Sequence, residues 1–184
     1  VAKNCLSTGC VELLNFRKTS FSKNLHLGIG EKSVGTFRLD GTSVLNYSKE
    51  FRLGCASGAI GCIELDGESS LTVAKLNVEG YLEGATGIVS VAGNSRLTVP
   101  GELRIGSANG KYGRFEVSGT SVAMISNVVI AAVKGVNNQL GVLRVFDSGA
   151  VSNVHEMLMG RSTTAHGFSE MRGGKILFNS TAAS

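Results

Sequence analysis

Residues 35–45 read GTFRLDGTSVL, residues 61–71 read GCIELDGESSL, and residues 87–97 read GIVSVAGNSRL. In each stretch, apolar side chains stand two and four positions after the first glycine, and a second glycine stands at the sixth position. Apolar residues at every second position are typical of a β-strand with one buried face. The three stretches begin 26 residues apart, so the pattern indicates an internal repeat.

The repeat extends over the whole chain. Its leading glycines are separated by 26 residues in every interval except the fifth, which has 28. These glycines are Gly9, Gly35, Gly61, Gly87, Gly113, Gly141 and Gly167. Fixed apolar columns over seven units favour a solenoid over a β-sandwich, which also has many short strands. We therefore predict an all-β fold, a single-stranded right-handed parallel β-helix (β-solenoid) with about seven coils of 26 residues, three short strands per coil and a single domain over residues 1–184.

Two further pairs of apolar columns define the second and third strands of each coil. The second pair stands ten and twelve residues after the leading glycine. The first of its two columns contains Leu177 in the last unit. The second column contains Asn153 in the sixth unit, or Val154 after a slip of one residue. The third pair fits the third unit after a slip of one residue, through Leu76 and Val78, and a small residue such as Ala132 follows it. We interpret the glycine columns as sharp turns that require a positive φ.

Composition excludes several classes of protein. The chain has 184 residues, of which 42% are hydrophobic, 17% are charged, 25 are glycine and one is proline. Disordered chains have fewer apolar residues, and collagen needs glycine at every third position together with much proline. No apolar run is long enough to insert into a membrane, and the scattered charges, with a net charge of +4, give no sign of nucleic-acid binding.

One outward column alternates in charge. Three residues after each leading glycine stand Glu12, Arg38, Glu64, Ser90, Glu116, Arg144 and Glu170. In a stacked solenoid these side chains lie in one row, where opposite charges attract and a slip of register places like charges together. We interpret this charged row as a device that controls the register on a solvated face.

Polar residues offer little for catalysis. Asp40 and Asp66 share a column in adjacent coils, and they are weak candidates for a cation site or else a pair of turn residues. His26, His155 and His166 occupy different columns, so the sequence predicts no metal centre formed by three histidines. We predict no catalytic residue and no cofactor, although a polysaccharide lyase or hydrolase stays open as an alternative.

Four cysteines lie beside the turns of the first and third coils. Cys5 precedes Cys10 by five residues, and Cys55 precedes Cys62 by seven. The natural pairing is Cys5 with Cys10 and Cys55 with Cys62, which suits an oxidising extracellular setting. Four reduced, partly buried thiols are the alternative.

The repeat resembles those of bacterial autotransporter passengers and of the broader pectin-lyase-like adhesins. The resemblance rests on segments such as Gly35 to Val44 and Gly87 to Arg96, in which two glycines enclose alternating apolar residues and a small polar residue follows. It covers residues 9–178 and implies a right-handed parallel β-helix in a secreted or cell-surface protein, usually an adhesin that contacts glycans or other proteins.

The length of the chain suggests one kind of assembly. Eight residues precede Gly9 and 18 residues form the last unit, so together they amount to one coil of 26. Since stacked coils of two molecules could complete each other, we expect a structural protein that associates with itself, end to end, into a filament or coat. A fragment of a longer solenoid is the competing explanation.

Overall fold

The computed structural model of the chain describes residues 8–14, 23–78, 82–106, 112–132, 139–160 and 164–179. These residues form fifteen strands and no helix. The strands are β1 (Thr8–Leu14), β2 (Leu25–Leu27), β3 (Val34–Asp40), β4 (Val44–Leu53), β5 (Ile60–Leu65), β6 (Ser70–Val78), β7 (Thr86–Val91), β8 (Arg96–Ile105), β9 (Tyr112–Val117), β10 (Val122–Ile130), β11 (Leu140–Phe146), β12 (Ala150–Val154), β13 (Glu156–Met159), β14 (His166–Arg172) and β15 (Lys175–Phe178).

The strands form two parallel sheets through which the chain winds as a coil. The first sheet has the order β1-β3-β5-β7-β9-β11-β14, and the second has the order β15-β12-β10-β8-β6-β4-β2, with β13 also paired to β10. Each strand of the first sheet is followed in the chain by a strand of the second, or by the two strands β12 and β13 in the sixth coil, before the chain returns to the first sheet one coil further on. The predicted parallel β-solenoid is confirmed, with about six turns where the repeat predicts about seven coils.

The second and third predicted strands of the central coils are joined. The four longest strands of the second sheet, β4, β6, β8 and β10, have nine or ten residues each and carry both apolar columns. Each of their ladders is interrupted by a register shift, as between Tyr47 and Glu50. A bulge bends a strand, so one bent strand replaces two short ones. Pro100 lies inside β8 beside such a bulge and not at a strand end.

The predicted apolar columns form the interior. Along the first sheet Leu39 pairs with Leu65, Leu65 with Val91, and Val91 with Val117, and all four side chains are buried. The second coil adds an aromatic cluster in which the ring centroids of Phe37 and Tyr47 lie 5.4 and 5.2 Å from that of Phe51. Rings at such distances in tilted arrangements attract each other beyond simple burial.

The structure decides the ambiguous registers. Leu76 pairs with Phe51 and with Leu103, so the predicted slip in the third coil is confirmed. Val154, and not Asn153, points inward in the sixth coil, where it is fully buried. The assignment of Leu177 is wrong, because Ile176 pairs with Val151. The same two columns fall at Thr19 and Phe21 in the first unit, and both residues lie outside the described ranges.

The leading glycines have a different cause from the one predicted. Gly67, in the second glycine column, has a φ of 66° and fits the expectation of a left-handed turn. Gly113, in the leading column, does not have a positive φ, but a Cβ there would lie 2.0 Å from the Val78 carbonyl oxygen and 2.2 Å from the Gly106 nitrogen. The leading glycines of β3, β5, β9 and β11 are therefore needed because the backbone of the preceding corner passes so close.

Left-handed backbone also occurs at residues other than glycine. Ala131 has a φ of 46° and donates its amide to the Ile105 carbonyl, so it takes the corner position that we assigned to Ala132. Lys32 has a φ of 54° and occupies, one coil earlier, the position of Gly58, which has a φ of 63°. A side chain with a Cβ is disfavoured in this region, so Lys32 and Ala131 hold local strain.

A column of buried serines follows the first sheet. Ser43, Ser69, Ser95 and Ser121 are fully or almost fully buried. Ser121 donates its hydroxyl to the Val91 carbonyl oxygen at 2.8 Å, and Ser43 donates to the Leu13 carbonyl oxygen at 2.8 Å. The Ser121 and Ser43 hydroxyls thus bond to main-chain carbonyl oxygens of the preceding coil.

Candidate functional site

The charged row runs down the first sheet as predicted. The strand ladders place Glu12 beside Arg38, Arg38 beside Glu64, and Arg144 between Glu116 and Glu170. The Arg38 Nε lies 3.7 Å from the Glu12 Oε1, and the Arg144 Nε lies 3.2 Å from the Glu170 Oε2. Since such exposed pairs contribute at most about 1 kcal/mol each, the row favours one register without supplying much stability.

An apolar surface adjoins the charged row on the same sheet. The alternation of each strand turns two more rows outward, and many of their side chains are apolar. Partly or largely exposed members include Val34, Ile60, Ile88, Tyr112, Leu140 and Phe168. We call these two rows and the charged row together the outer face of the first sheet.

Side chains of core type are exposed at the two outermost coils. Val11 stands in the column of the buried Phe37, yet 49% of it is exposed, and Met171 stands in the column of the buried Val145 with 56% exposed. Phe178 pairs with the buried Val154 and is 59% exposed. Among the described residues, β1 pairs only with β3 and β14 only with β11. Within the described ranges, each end surface thus combines an unpaired strand edge with apolar side chains.

A cavity of about 310 Å³ opens beside the first described coil. Its lining is mainly apolar and includes Val11, Leu25, Leu27 and Phe37, together with Cys10 and His26. It continues the end surface at β1, because Val11 belongs to both.

The two aspartates serve the turns that follow β3 and β5. The Asp40 Oδ1 accepts a hydrogen bond from the Gly41 amide at 2.6 Å, and the Asp66 Oδ1 accepts one from the Gly67 amide at 2.7 Å. The Asp40 Oδ2 also contacts the Arg38 Nη2 at 3.0 Å. Within the described part of the chain, no group of three or more His, Cys, Asp or Glu side chains could hold a metal ion.

The cysteines do not form the predicted disulfide. Cys55 and Cys62 are free thiols in this structure, and so is Cys10, whereas Cys5 lies outside the described residues. The Cys55 thiol points to the Arg52 carbonyl oxygen at 3.7 Å. Burial raises the pKa of Cys55 to about 11 and also raises that of Cys62, so both thiols are held in the neutral form, which is poorly reactive.

The histidines lie apart from one another. His26 is on β2, His155 lies between β12 and β13, and His166 begins β14, and all three are exposed. Their separation agrees with the sequence, in which they fall in different columns.

Sequence reasoning missed a second group of ion pairs. The Arg52 Nη2 lies 2.8 Å from the Glu50 Oε2, and the Arg104 Nε lies 2.6 Å from the Glu102 Oε1, both on the second sheet. The segments Glu50 to Arg52 and Glu102 to Arg104 place opposite charges two residues apart, which is the same side of a strand. That spacing was the signal that could have revealed them.

Comparison with protein-family models, curated proteins and solved structures finds no match for this chain. The resemblance to autotransporter passengers is therefore supported at the level of the parallel β-solenoid and not at the level of a particular family. No helix in the described ranges has the length and hydrophobicity needed to cross a lipid bilayer.

Proposed function

We propose that this chain is a structural protein, exported or displayed at a cell surface, that assembles with itself end to end along the solenoid axis. The observation that carries the proposal is the exposure of core columns at both outermost described coils, with Val11 on one side and Met171 and Phe178 on the other. Stacking the end surface of one molecule on the start of the next would bury these side chains in the positions that their columns occupy in every inner coil.

The strand edges support the same arrangement. An unpaired parallel strand presents a row of amide and carbonyl groups that accepts another strand. β1 and β14 belong to the same sheet and lie at its opposite edges. The first sheet can therefore continue across one junction with the register already used inside the chain.

The charges at such a junction need compensation. Glu170 of one molecule would stand beside Glu12 of the next in the charged row, and like charges that face each other repel. The Arg172 Nε lies 2.6 Å from the Glu170 Oε1, and Arg172 is largely exposed. Arg172 therefore supplies the positive charge that lets the two glutamates approach.

Two substitutions on β15 provide a matched test. Phe178 belongs to an inward column, whereas its neighbour Leu177, which is exposed to a similar extent, points outward. We expect the wild-type chain to form filaments in electron microscopy and a broad, concentration-dependent distribution in sedimentation velocity. Phe178→Asp should abolish both, and Leu177→Asp should leave them intact. Monodisperse wild-type monomers at high concentration, or equal polymerisation by both variants, would exclude end-to-end assembly.

A further inference from the structure

The charged row has a symmetry that bears on the flank of the solenoid. Its signs read negative, positive, negative, neutral, negative, positive, negative from Glu12 to Glu170, which is the same in both directions. When two copies meet face to face with opposite axial directions, such a row favours some registers over others. The aligned register brings like charges together, and a register offset by one coil brings opposite charges together.

We propose that two copies pair laterally through the outer face of the first sheet, antiparallel along their solenoid axes and offset by one coil. A two-fold axis parallel to the strands brings charged row against charged row. With that offset, Arg38 faces the partner's Glu170, and Glu64 faces the partner's Arg144. Ser90 faces the partner's Glu116, where a hydroxyl can donate to a carboxylate.

The opposite one-coil offset also pairs opposite charges, but it places Leu140 against the partner's Thr8 and leaves the exposed Phe168 outside the contact. Two other arrangements are unfavourable because of their charges. Without the offset, Arg38 faces the partner's Arg144 and Glu64 faces the partner's Glu116, so like charges meet along the row. A two-fold axis parallel to the solenoid axis would instead press the charged row against apolar rows, and burying a charge without a partner is costly. The offset antiparallel pair matches the charges of the charged row and places Ile60 against the partner's Leu140, while Arg114, in the row of Ile88, faces the partner's Ile88.

The area of this face is sufficient for a stable dimer. Six coils about 4.8 Å apart and strands of about six residues at about 3.3 Å per residue cover roughly 600 Å² on each copy. Two copies would bury about 1,200 Å² in total, which reaches the range of specific interfaces. The contact uses the flank and leaves the end surfaces free, so it does not depend on the end-to-end assembly.

The test separates the flank from the ends by using the Phe178→Asp chain, in which end contacts are blocked. In sedimentation equilibrium this chain should have twice the monomer mass of 19.1 kDa. Adding Arg38→Glu and Arg144→Glu reverses four ion pairs of the two-fold interface, and dimerisation should weaken at least about a hundredfold.

A matched control has the same change of charge on the second sheet. Arg52→Glu with Arg104→Glu also lowers the net charge by four, but should leave the dimer intact. The chain with Arg38→Glu, Arg144→Glu, Glu64→Arg and Glu170→Arg restores opposite charges at all four ion pairs of the proposed register, whereas every alternative register keeps like charges together at some positions, so it should regain the dimer. A monomeric Phe178→Asp chain, equal weakening by the control pair, or failure of the fourfold variant to recover would overturn the proposal.

Discussion

Replacing Gly113 by alanine tests why the leading glycines are there. The added Cβ would lie 2.0 Å from the Val78 carbonyl oxygen and 2.2 Å from the Gly106 nitrogen. These two atoms are themselves joined by a backbone hydrogen bond of 2.9 Å at the buried corner. The methyl group would therefore occupy the space of a ladder hydrogen bond, and no flexible side chain is available to move aside.

The expected loss in the free energy of unfolding is the sum of two contributions. Overpacking costs about 1–3 kcal/mol, and separating a buried amide from its carbonyl adds about 1–3 kcal/mol because both groups lose their partner. We expect Gly113→Ala to lower the free energy of unfolding by about 4 kcal/mol. With a urea m-value of about 2 kcal/mol/M, the midpoint of unfolding falls by about 2 M.

Gly9 offers a control in the same column. A Cβ on Gly9 meets no atom within 4 Å, so Gly9→Ala should be neutral or stabilise the fold by up to about 1 kcal/mol through the unfolded chain. Because each coil contacts its neighbours, amide exchange should accelerate in β9 and the adjacent strands of Gly113→Ala but not in β3. Urea midpoints within about 0.5 M of each other for the two variants would refute the close-approach explanation.

Substitutions at four further residues address local features of the coils. Lys32→Gly should raise the free energy of unfolding by about 1 kcal/mol by relieving a φ of 54° at an exposed site, and Lys32→Ala should give no gain. Ser121→Ala should lower the free energy of unfolding by about 1 kcal/mol, because it removes a buried hydrogen bond. Ser69→Ala should leave it unchanged or raise it, because the Ser69 hydroxyl is buried without a hydrogen-bond partner. Urea denaturation measures both changes. The Cys55 thiol should be about one part in a thousand ionised at pH 8, because its pKa is about 11, so its alkylation should be slow and should accelerate up to pH 11. The raised pKa also means that stability is highest below pH 9 and falls as the pH rises through 11, a loss that Cys55→Ser should reduce.

Sequence periodicity was sufficient for the strands and for most of the core. Where an apolar side chain stands between polar ones, as Leu39 does between Arg38 and Asp40, the alternation fixes which face is buried. Where two apolar residues are adjacent, alternation cannot choose between them, and the assignment of Leu177 over Ile176 was wrong for that reason. The turn at Gly173 and Gly174 contains one residue fewer than the repeat predicts, and no single column shows this.

The sequence also could not separate two reasons for a glycine. A column of glycines shows that a side chain is excluded, but a left-handed φ and a close backbone both exclude it. Gly67 has the first cause and Gly113 the second. The difference depends on the distance between one corner and the strand of the next coil, which is a property of the coiled chain as a whole.

The candidate surfaces were predictable to different degrees. The charged row follows from the column spacing alone, because one register of the ladder fixes all of its neighbours. The end surfaces required the coordinates, since the sequence gives Met171 and Val145 the same character although one is largely exposed and the other is buried. Exposure of a core column depends on what lies next to the coil, and not on the residue itself.

The distribution of these features suggests how the chain separates folding from recognition. Inward columns accept almost any apolar residue, from Phe115 to Val89 to Leu143, because each needs only to fill its layer. The outward rows contribute little to stability, so their chemistry is free to vary from coil to coil. Alternation in sign serves the register of the coils, but the charged row also reads the same in both directions, which folding does not require. That excess order is the reason for expecting its partner to be another copy of the same row.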